Sequence, residues 1–324
     1  MKLTPRLLVI VGPTAVGKTA LALTLGQRLG GEVVSADSRQ VYRYMDIGTA
    51  KATPEERALL PHHLIDLVDP DEELTLAHYL RLASETIAAI WERGRLPMLV
   101  GGTGLYVRAL LEGWTVPEVP PNRELRAALY AQAEREGLQA LHRRLAEVDP
   151  IAAAHIDPRN VRRVIRALEV YHEAGLPISH LQGKRPPGYR TFMLGLTMPR
   201  PALYARIDAR VARMIAQGLV EEVRWLVARG YGYDLPSMSG LGYRQIGCYL
   251  RGEATLAEAT AMIKRETRRF VRQQYNWFRL SDPSIHWVDA SAPDMEALLR
   301  QLDRFVSQDD PSANPRFPQA HCPR

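Results

Sequence analysis

Eight consecutive residues, Gly12-Pro13-Thr14-Ala15-Val16-Gly17-Lys18-Thr19, constrain this chain more than any other feature. They satisfy the spacing G-x-x-x-x-G-K-[ST], and their flanks suit it. The apolar run Leu7 to Val11 before them reads as a buried strand. After them Leu21, Leu25 and Leu29 recur one turn apart, which predicts a helix from about Lys18, stopped by Gly30-Gly31. A glycine-rich turn between a strand and a helix N-terminus converges backbone N–H groups and a positive dipole end on phosphate oxygens. Lys18 would neutralise the outer phosphates, and the Thr19 hydroxyl suits Mg²⁺. The loop announces a di- or triphosphate ligand and is silent on the reaction.

The alternation continues. Val33 to Asp37 reads as a second short strand ending in a carboxylate. Residues 76–93 carry Leu76, Tyr79, Leu80, Ala83, Ile87 and Ile90 on one helical face, and Gly94 ends that helix. Leu96 to Val100 is a further strand, closed by Gly101-Gly102-Thr103-Gly104 and a helix through Leu111. Prolines 117, 120 and 121 then punctuate a linker, after which 122–175 reads as nearly all helix. Thr191 to Thr197 returns to strand, followed by a helix with Leu203, Ile207, Val211 and Met214 on its apolar face, a helix over 256–278 and a last strand at 285–288. The expected fold is α/β: a P-loop parallel-sheet core from 1–113 and 191–306, a mostly helical insertion at 114–190, and a disordered tail at 307–324.

Strand C-terminal ends in a parallel sheet face one crevice, so Asp37 is placed to hold Mg²⁺ or act as a base, or simply to cap a turn. The turn at 101–104 would bring Thr103 to the same crevice. Three groups of basic residues recur at helical spacing: Arg159, Arg162, Arg163 and Arg166; Arg206, Arg210 and Arg213; and Lys264, Arg265, Arg268, Arg269, Arg272 and Arg279. Each alone reads as a solvated face, but together beside a phosphate loop they point to a long polyanion. Aromatics interleaved with the third group, such as Phe270 and Tyr275, read as core. The excess of 42 Lys plus Arg over 36 Asp plus Glu agrees with a polyanionic partner. Two distant cysteines exclude a disulfide framework, and no run reaches the ~18 apolar residues of a membrane span. A cytoplasmic protein without membrane association is expected.

In order along 7–290, the runs 12–19, Ser-Ala-Asp-Ser-Arg-Gln-Val-Tyr at 35–42, Asp-Ile-Gly-Thr-Ala-Lys at 46–51, Pro-His-His-Leu-Ile-Asp at 61–66, Val-Gly-Gly-Thr-Gly-Leu-Tyr at 100–106, Arg-Ala-Leu-Glu-Val at 166–170, Gly-Tyr-Arg-Gln at 242–245 and Gln-Gln-Tyr-Asn-Trp-Phe-Arg at 273–279 resemble the tRNA dimethylallyltransferases, also called tRNA isopentenyltransferases. The resemblance implies transfer of a dimethylallyl group from dimethylallyl diphosphate, with Mg²⁺, to the exocyclic amine of the adenosine just 3′ of the anticodon. The tRNAs implied are those reading codons that begin with U. It implies Asp37 as general base, Thr103 near the reacting amine, and Arg210 with residues 12–19 at the diphosphate. For tRNA it implies Asp37, Ser38, Arg39 and Gln40, Thr103, Arg126, the run Arg162, Arg163, Val164, Ile165 and Arg166, and the run Gly240, Leu241, Gly242, Tyr243, Arg244 and Gln245. A monomer is expected. The family's usual Lys-Arg-Gln is here Arg272-Gln273-Gln274, which loses the charge at Gln273, and the zinc finger of some eukaryotic members is absent. From the phosphate loop alone, a small-molecule kinase is the competing reading, and a non-catalytic RNA-binding protein a third.

Overall fold

A computed structural model of the chain describes residues 5–307. In chain order the first elements are β1 (Arg6–Val11), α1 (Lys18–Leu29), β2 (Gly31–Ser35), α2 (Pro54–Leu59) and β3 (His62–His63). Then come α3 (Leu76–Glu92), β4 (Leu96–Val100), α4 (Gly104–Leu111) and β5 (Trp114–Thr115). Helices α5 (Arg123–Glu136), α6 (Leu138–Val148), α7 (Pro150–His155), α8 (Val161–Ala174) and α9 (Ile178–Leu181) precede β6 (Gly183–Lys184). The chain ends with β7 (Arg190–Thr197), α10 (Arg200–Ala216), α11 (Leu219–Ala228), α12 (Tyr243–Leu250), α13 (Leu256–Trp277), β8 (His286–Asp289) and α14 (Met295–Ser307).

Two compact units divide these elements: among the described residues, 5–74, 82–108 and 188–307 form one, and 75–81 and 109–187 the other. Relative to the expected insertion at 114–190, the second unit also takes in the end of α4 and the start of α3. Apart from Ser307, which closes α14, the expected disordered tail lies outside the described residues.

The first unit is built on a six-stranded sheet ordered β3-β2-β4-β1-β7-β8. Every pairing in it is parallel, as the alternation of strands and helices implied. Leu7 to Val11 are fully buried, which is why β1 reads as an unbroken apolar run rather than an alternating one. On one face Leu8, Ile10 and Val33 pack with Ala22 and Leu25 of α1 and with Leu298, Leu302 and Phe305 of α14. A second cluster gathers Leu196 with the apolar faces of α10 to α13, including Leu203, Ile207, Val211 and Met214. Burying each such aliphatic side chain is worth roughly 1.5–3 kcal/mol. No helix of the described residues is long and apolar enough to cross a membrane.

One boundary differs from its expectation. The second strand runs from Gly31 to Ser35, not from Val33 to Asp37. Gly30 alone caps α1 in the left-handed region, while Gly31 already lies in the sheet, where a Cβ would sit 2.8 Å from the Met98 sulfur. Asp37 therefore stands in the turn beyond the strand, a position with more freedom to face the crevice.

The second unit is a helical bundle with a short antiparallel β5–β6 pair. Asn122, Asp149 and Asn160 each cap the helix that follows by accepting a backbone N–H. Its core draws Leu129 from α5, Leu141 and Leu145 from α6, and Val164, Ile165 and Leu168 from α8.

Candidate active site

Because the sheet is parallel, the turns after β1, β2 and β4 leave the same edge. The turn after β1 is the predicted phosphate loop. Gly12 has φ +144°, and a Cβ there would lie 2.5 Å from the Leu196 carbonyl oxygen, so only glycine lets the loop approach β7. Gly17, at φ +111°, turns the chain into α1. Thr14, Ala15, Gly17, Lys18 and Thr19 line a crevice of about 910 Å³, together with Asp37, Gln40, the segment 49–54 and Arg210.

Lys18 donates to the carbonyls of Gly12 and Pro13, each at 2.9 Å. Burial pushes its ammonium down to about 8, against the pull of the Asp37 carboxylate and with the help of Arg210. Arg210 is likewise lowered by burial and by Arg213, while Asp37 opposes the shift. Its guanidinium reaches the Thr49 carbonyl at 3.5 Å. Arg206 bends over the phosphate loop, 3.4 Å from the Val16 carbonyl, and Arg213 also lines the crevice. Among the described residues none of these three arginines has a carboxylate at ion-pair distance. The second basic group of the sequence thus belongs to the phosphate crevice.

The turns that carry Asp37 and Thr103, after β2 and β4, are bonded to each other. The Ala36 N–H donates to Val100 O at 2.8 Å, and the Thr103 N–H donates to Ala36 O at 3.1 Å. A Cβ on Gly101 would overlap Ala36 O, which explains the glycine. The Thr103 hydroxyl accepts the Ser38 N–H at 3.0 Å, and the Asp37 carboxylate accepts the Arg39 N–H at 2.9 Å. Arg39 donates onward to the Pro236 carbonyl at 2.8 Å. Gln40 spans Ser35 and the carbonyls of Thr49 and Ala50.

Several supports escaped the sequence reading. Glu222 on α11 accepts the N–H groups of Asp46, Ile47 and Gly48 at 2.8–3.1 Å and the Tyr243 hydroxyl at 2.6 Å. Burial and this carboxylate push the Tyr243 phenol well above its ordinary value. Buried Lys51 ties the Tyr42 carbonyl to Asp46 and Asp66. These contacts hold the segment that walls the crevice.

Some residues expected at tRNA present no side chain for it. Val164 and Ile165 are core residues of the helical unit, pointing inward because α8 is amphipathic. Tyr243 and Gln245 are buried at the start of α12, where Gln245 accepts the Gly242 N–H. Gly240 and Gly242 are buried too, leaving Leu241 half-exposed and Arg244 exposed. Arg126 and Arg166 both bind fully buried Glu169, at 2.8 and 2.6 Å, while Arg162 and Arg163 project into solvent. Burial alone would raise the Glu169 carboxyl, but Arg126, Arg166 and the Asn122 N–H outweigh it and hold it below its usual range. Phe270, expected in the core, is exposed, whereas Tyr275 donates or accepts a hydrogen bond with Thr197 at 2.9 Å.

No cluster of three or more acidic, histidine or cysteine side chains among the described residues forms a metal cage. His62 and His63 form β3, where His63 pairs with Glu32 at 2.7 Å. Thr19 and Asp37 offer oxygen donors at the crevice, a set that suits Mg²⁺ only when phosphate oxygens complete its shell.

A family model described as IPP transferase matches residues 40–281, and one described as isopentenyl transferase matches residues 5–63. A tRNA dimethylallyltransferase of Roseiflexus castenholzii is 58% identical over 299 residues, 91% of this chain and 97% of that protein. The solved tRNA isopentenylpyrophosphate transferase of Bacillus halodurans is 44% identical, with TM-score 0.68, over 94% of this chain and 96% of that one. A eukaryotic dimethylallyltransferase solved acting on tRNA is 26% identical, with TM-score 0.76, over 93% of this chain and 79% of that one. These likenesses do not favour the small-molecule kinase.

Proposed function

Since this chain belongs to the IPP transferase family, we propose that it moves a dimethylallyl group from dimethylallyl diphosphate to the exocyclic amine of the adenosine 3′ to a tRNA anticodon. The tRNAs are those reading codons that begin with U. What supports this is a crevice lined by both the phosphate cradle and Asp37, with the Asp37 turn bonded to the turn that carries Thr103. A phosphate loop alone would serve a kinase equally well.

The chemistry assigns each side of the crevice. As the allylic carbon–oxygen bond breaks, negative charge grows on the departing diphosphate. The loop amides, Lys18 and Arg210 face that charge from fixed positions, and the burial of Lys18 and Arg210 strengthens their effect. Mg²⁺, held by Thr19 and the donor's own phosphate oxygens, would supply further charge neutralisation. On the other side the adenine amine is a poor nucleophile, because its lone pair is delocalised into the ring. Asp37 takes its proton as the new carbon–nitrogen bond forms. Thr103 accepts from Ser38 and holds the turn beside that carboxylate. The adenine reaches this crevice only outside its stack, which single-stranded loop RNA permits at low cost.

For tRNA, exposed Arg162, Arg163 and Arg244 supply phosphate contacts, and the segment 37–40 meets the target region. Arg126 and Arg166 present their outer edges while Glu169 holds their inner ones. The enzyme is further proposed to act as a monomer, in the cytoplasm where tRNA is found. Incubation with labelled dimethylallyl diphosphate, Mg²⁺ and unmodified tRNA, followed by nucleoside analysis, is expected to give the alkylated adenosine. ATP-dependent phosphorylation of a metabolite, with no label in tRNA, would overturn the assignment.

A further inference from the structure

The last turn of α13 reaches both glycine turns of the crevice. Gln274, only 4% exposed, accepts the Thr14 N–H at 2.8 Å through Oε1 and donates through Nε2 to the Gly102 carbonyl at 3.1 Å. One side-chain amide therefore spans the phosphate cradle and the turn that carries Thr103. Its orientation follows from its partners, since Thr14 N–H can only donate and Gly102 O can only accept. The helix end is seated closely: a Cβ on Gly102 would lie 2.3 Å from Nε2, and one on Gly104 would overlap the Trp277 ring. Trp277 O also accepts from Arg108 of α4 at 2.9 Å, and Tyr275 meets Thr197 at the end of β7. The amide thus projects from a helix end that is itself pinned to α4 and to the end of β7.

We propose that Gln274 is a positioning residue for the transfer, its amide setting the spacing between the diphosphate cradle and the Thr103 turn. This rests on the prenyl-transfer reading and deepens it. Attack requires the nucleophilic nitrogen close to the allylic carbon and opposite the leaving oxygen, within a few tenths of an ångström. The cradle holds the leaving group, and the Thr103 turn sits beside the base. Beyond the strand ends the sheet ladder no longer ties these turns together, and Gln274 supplies a direct bond across them.

The decisive variants are Gln274→Glu and Gln274→Met. Protonated Glu reproduces the amide, its carbonyl accepting from Thr14 and its O–H donating to Gly102 O; the carboxylate has no donor to give. Met bridges nothing at any pH. The charged or titratable groups near the bridge on the packed elements are Lys18 in the cradle, Asp37 and Arg39 in the turn bonded to that of Thr103, Arg108 and Tyr106 on α4, and Arg272 and Tyr275 in the last turns of α13. All are shared with the wild type, so the signature is the ratio of Gln274→Glu to wild-type kcat at each pH. Gln274→Met is expected to lose roughly 10- to 100-fold in kcat, with donor KM and tRNA Kd within about twofold. Burial and the facing Gly102 carbonyl disfavour a carboxylate there and raise the introduced acid well above its usual value of about 4.3, so Gln274→Glu is expected to be similarly slow at about pH 8.5, its ratio to wild type rising on the order of tenfold towards about pH 6. Should Gln274→Met melt early, the Glu ratio still reads the bridge within one protein. A wild-type kcat in Gln274→Met, a loss confined to KM, or a flat Glu ratio would sink the proposal while leaving the transferase reading intact. A wild type that alkylates no tRNA would sink both.

Discussion

Donor binding should weaken as pH rises through about 8, because Lys18 loses its proton there. In the free protein the ammonium is desolvated, attracted by Asp37 and repelled by Arg210, and the first effect dominates. A bound diphosphate favours the charged form, so the complex holds the proton to higher pH. Between the two values binding takes up a proton, and affinity falls towards tenfold per pH unit. From the value of about 8, Lys18 is about nine-tenths charged at about pH 7 and about one-tenth at about pH 9. Donor affinity should therefore drop about tenfold across that interval, or about 1.4 kcal/mol. The assay is equilibrium binding of labelled dimethylallyl diphosphate at fixed ionic strength and Mg²⁺, without tRNA. Lys18→Arg is the control, since a guanidinium stays charged throughout and its curve corrects for ionisation of the donor. A wild-type affinity that is flat over this range, or an Arg variant that falls equally, would refute the reasoning. Stability carries the opposite sign. The unfolded chain holds this proton up to 10.5, so the free protein gains stability as pH rises from about 8 towards that value.

Asp37→Ala is expected to lower transfer by at least about 100-fold while tRNA affinity stays within about twofold; full turnover would remove Asp37 from the proton step. Reversing charge at Arg162 and Arg163 should weaken tRNA binding and flatten its salt dependence by about one unit of slope per arginine; an unchanged slope would make them surface groups only. Glu169→Ala leaves Arg126 and Arg166 facing each other across a buried space and should cost the protein about 3–5 kcal/mol in urea unfolding; a loss under about 1 kcal/mol would contradict a buried counter-ion role.

Local signals in the chain were informative wherever the structure is local. The phosphate loop, the Leu96–Val100 strand and the apolar face of α10 each follow from residues within a few positions of one another. The short helices α11 and α12 gave too few turns for a period to show, and they carry Glu222 and Tyr243. Long-range partners were the larger loss. Gln274 lies 260 positions from Thr14, and Glu222 lies 174–176 positions from the amides it accepts. Nothing in spacing reports such pairs. Charge counting was blind in a different way. It grouped Arg166 with Arg162, because Glu169 on the same helix looks like any other acidic residue until its burial is known.

That contrast explains how one basic protein can separate two anionic tasks. Arg126 and Arg166 share one buried carboxylate, which cancels half of their charge and fixes their geometry. Lys18, Arg206, Arg210 and Arg213 line the crevice; Asp37 acts on Lys18 and Arg210, while Asp46 and Asp66 of the same lining are paired with Lys51 and Arg57, so the field of the four cations is left partly uncompensated. Keeping such a cluster costs stability, which is visible in the lowered Lys18 and Arg210 values. The cost is relieved when a diphosphate enters, and more so as charge accumulates on it during bond breaking. Cations held apart by the fold before the reaction need no reorganisation when that charge appears, and this is the condition under which electrostatic stabilisation accelerates a step rather than merely tightening binding.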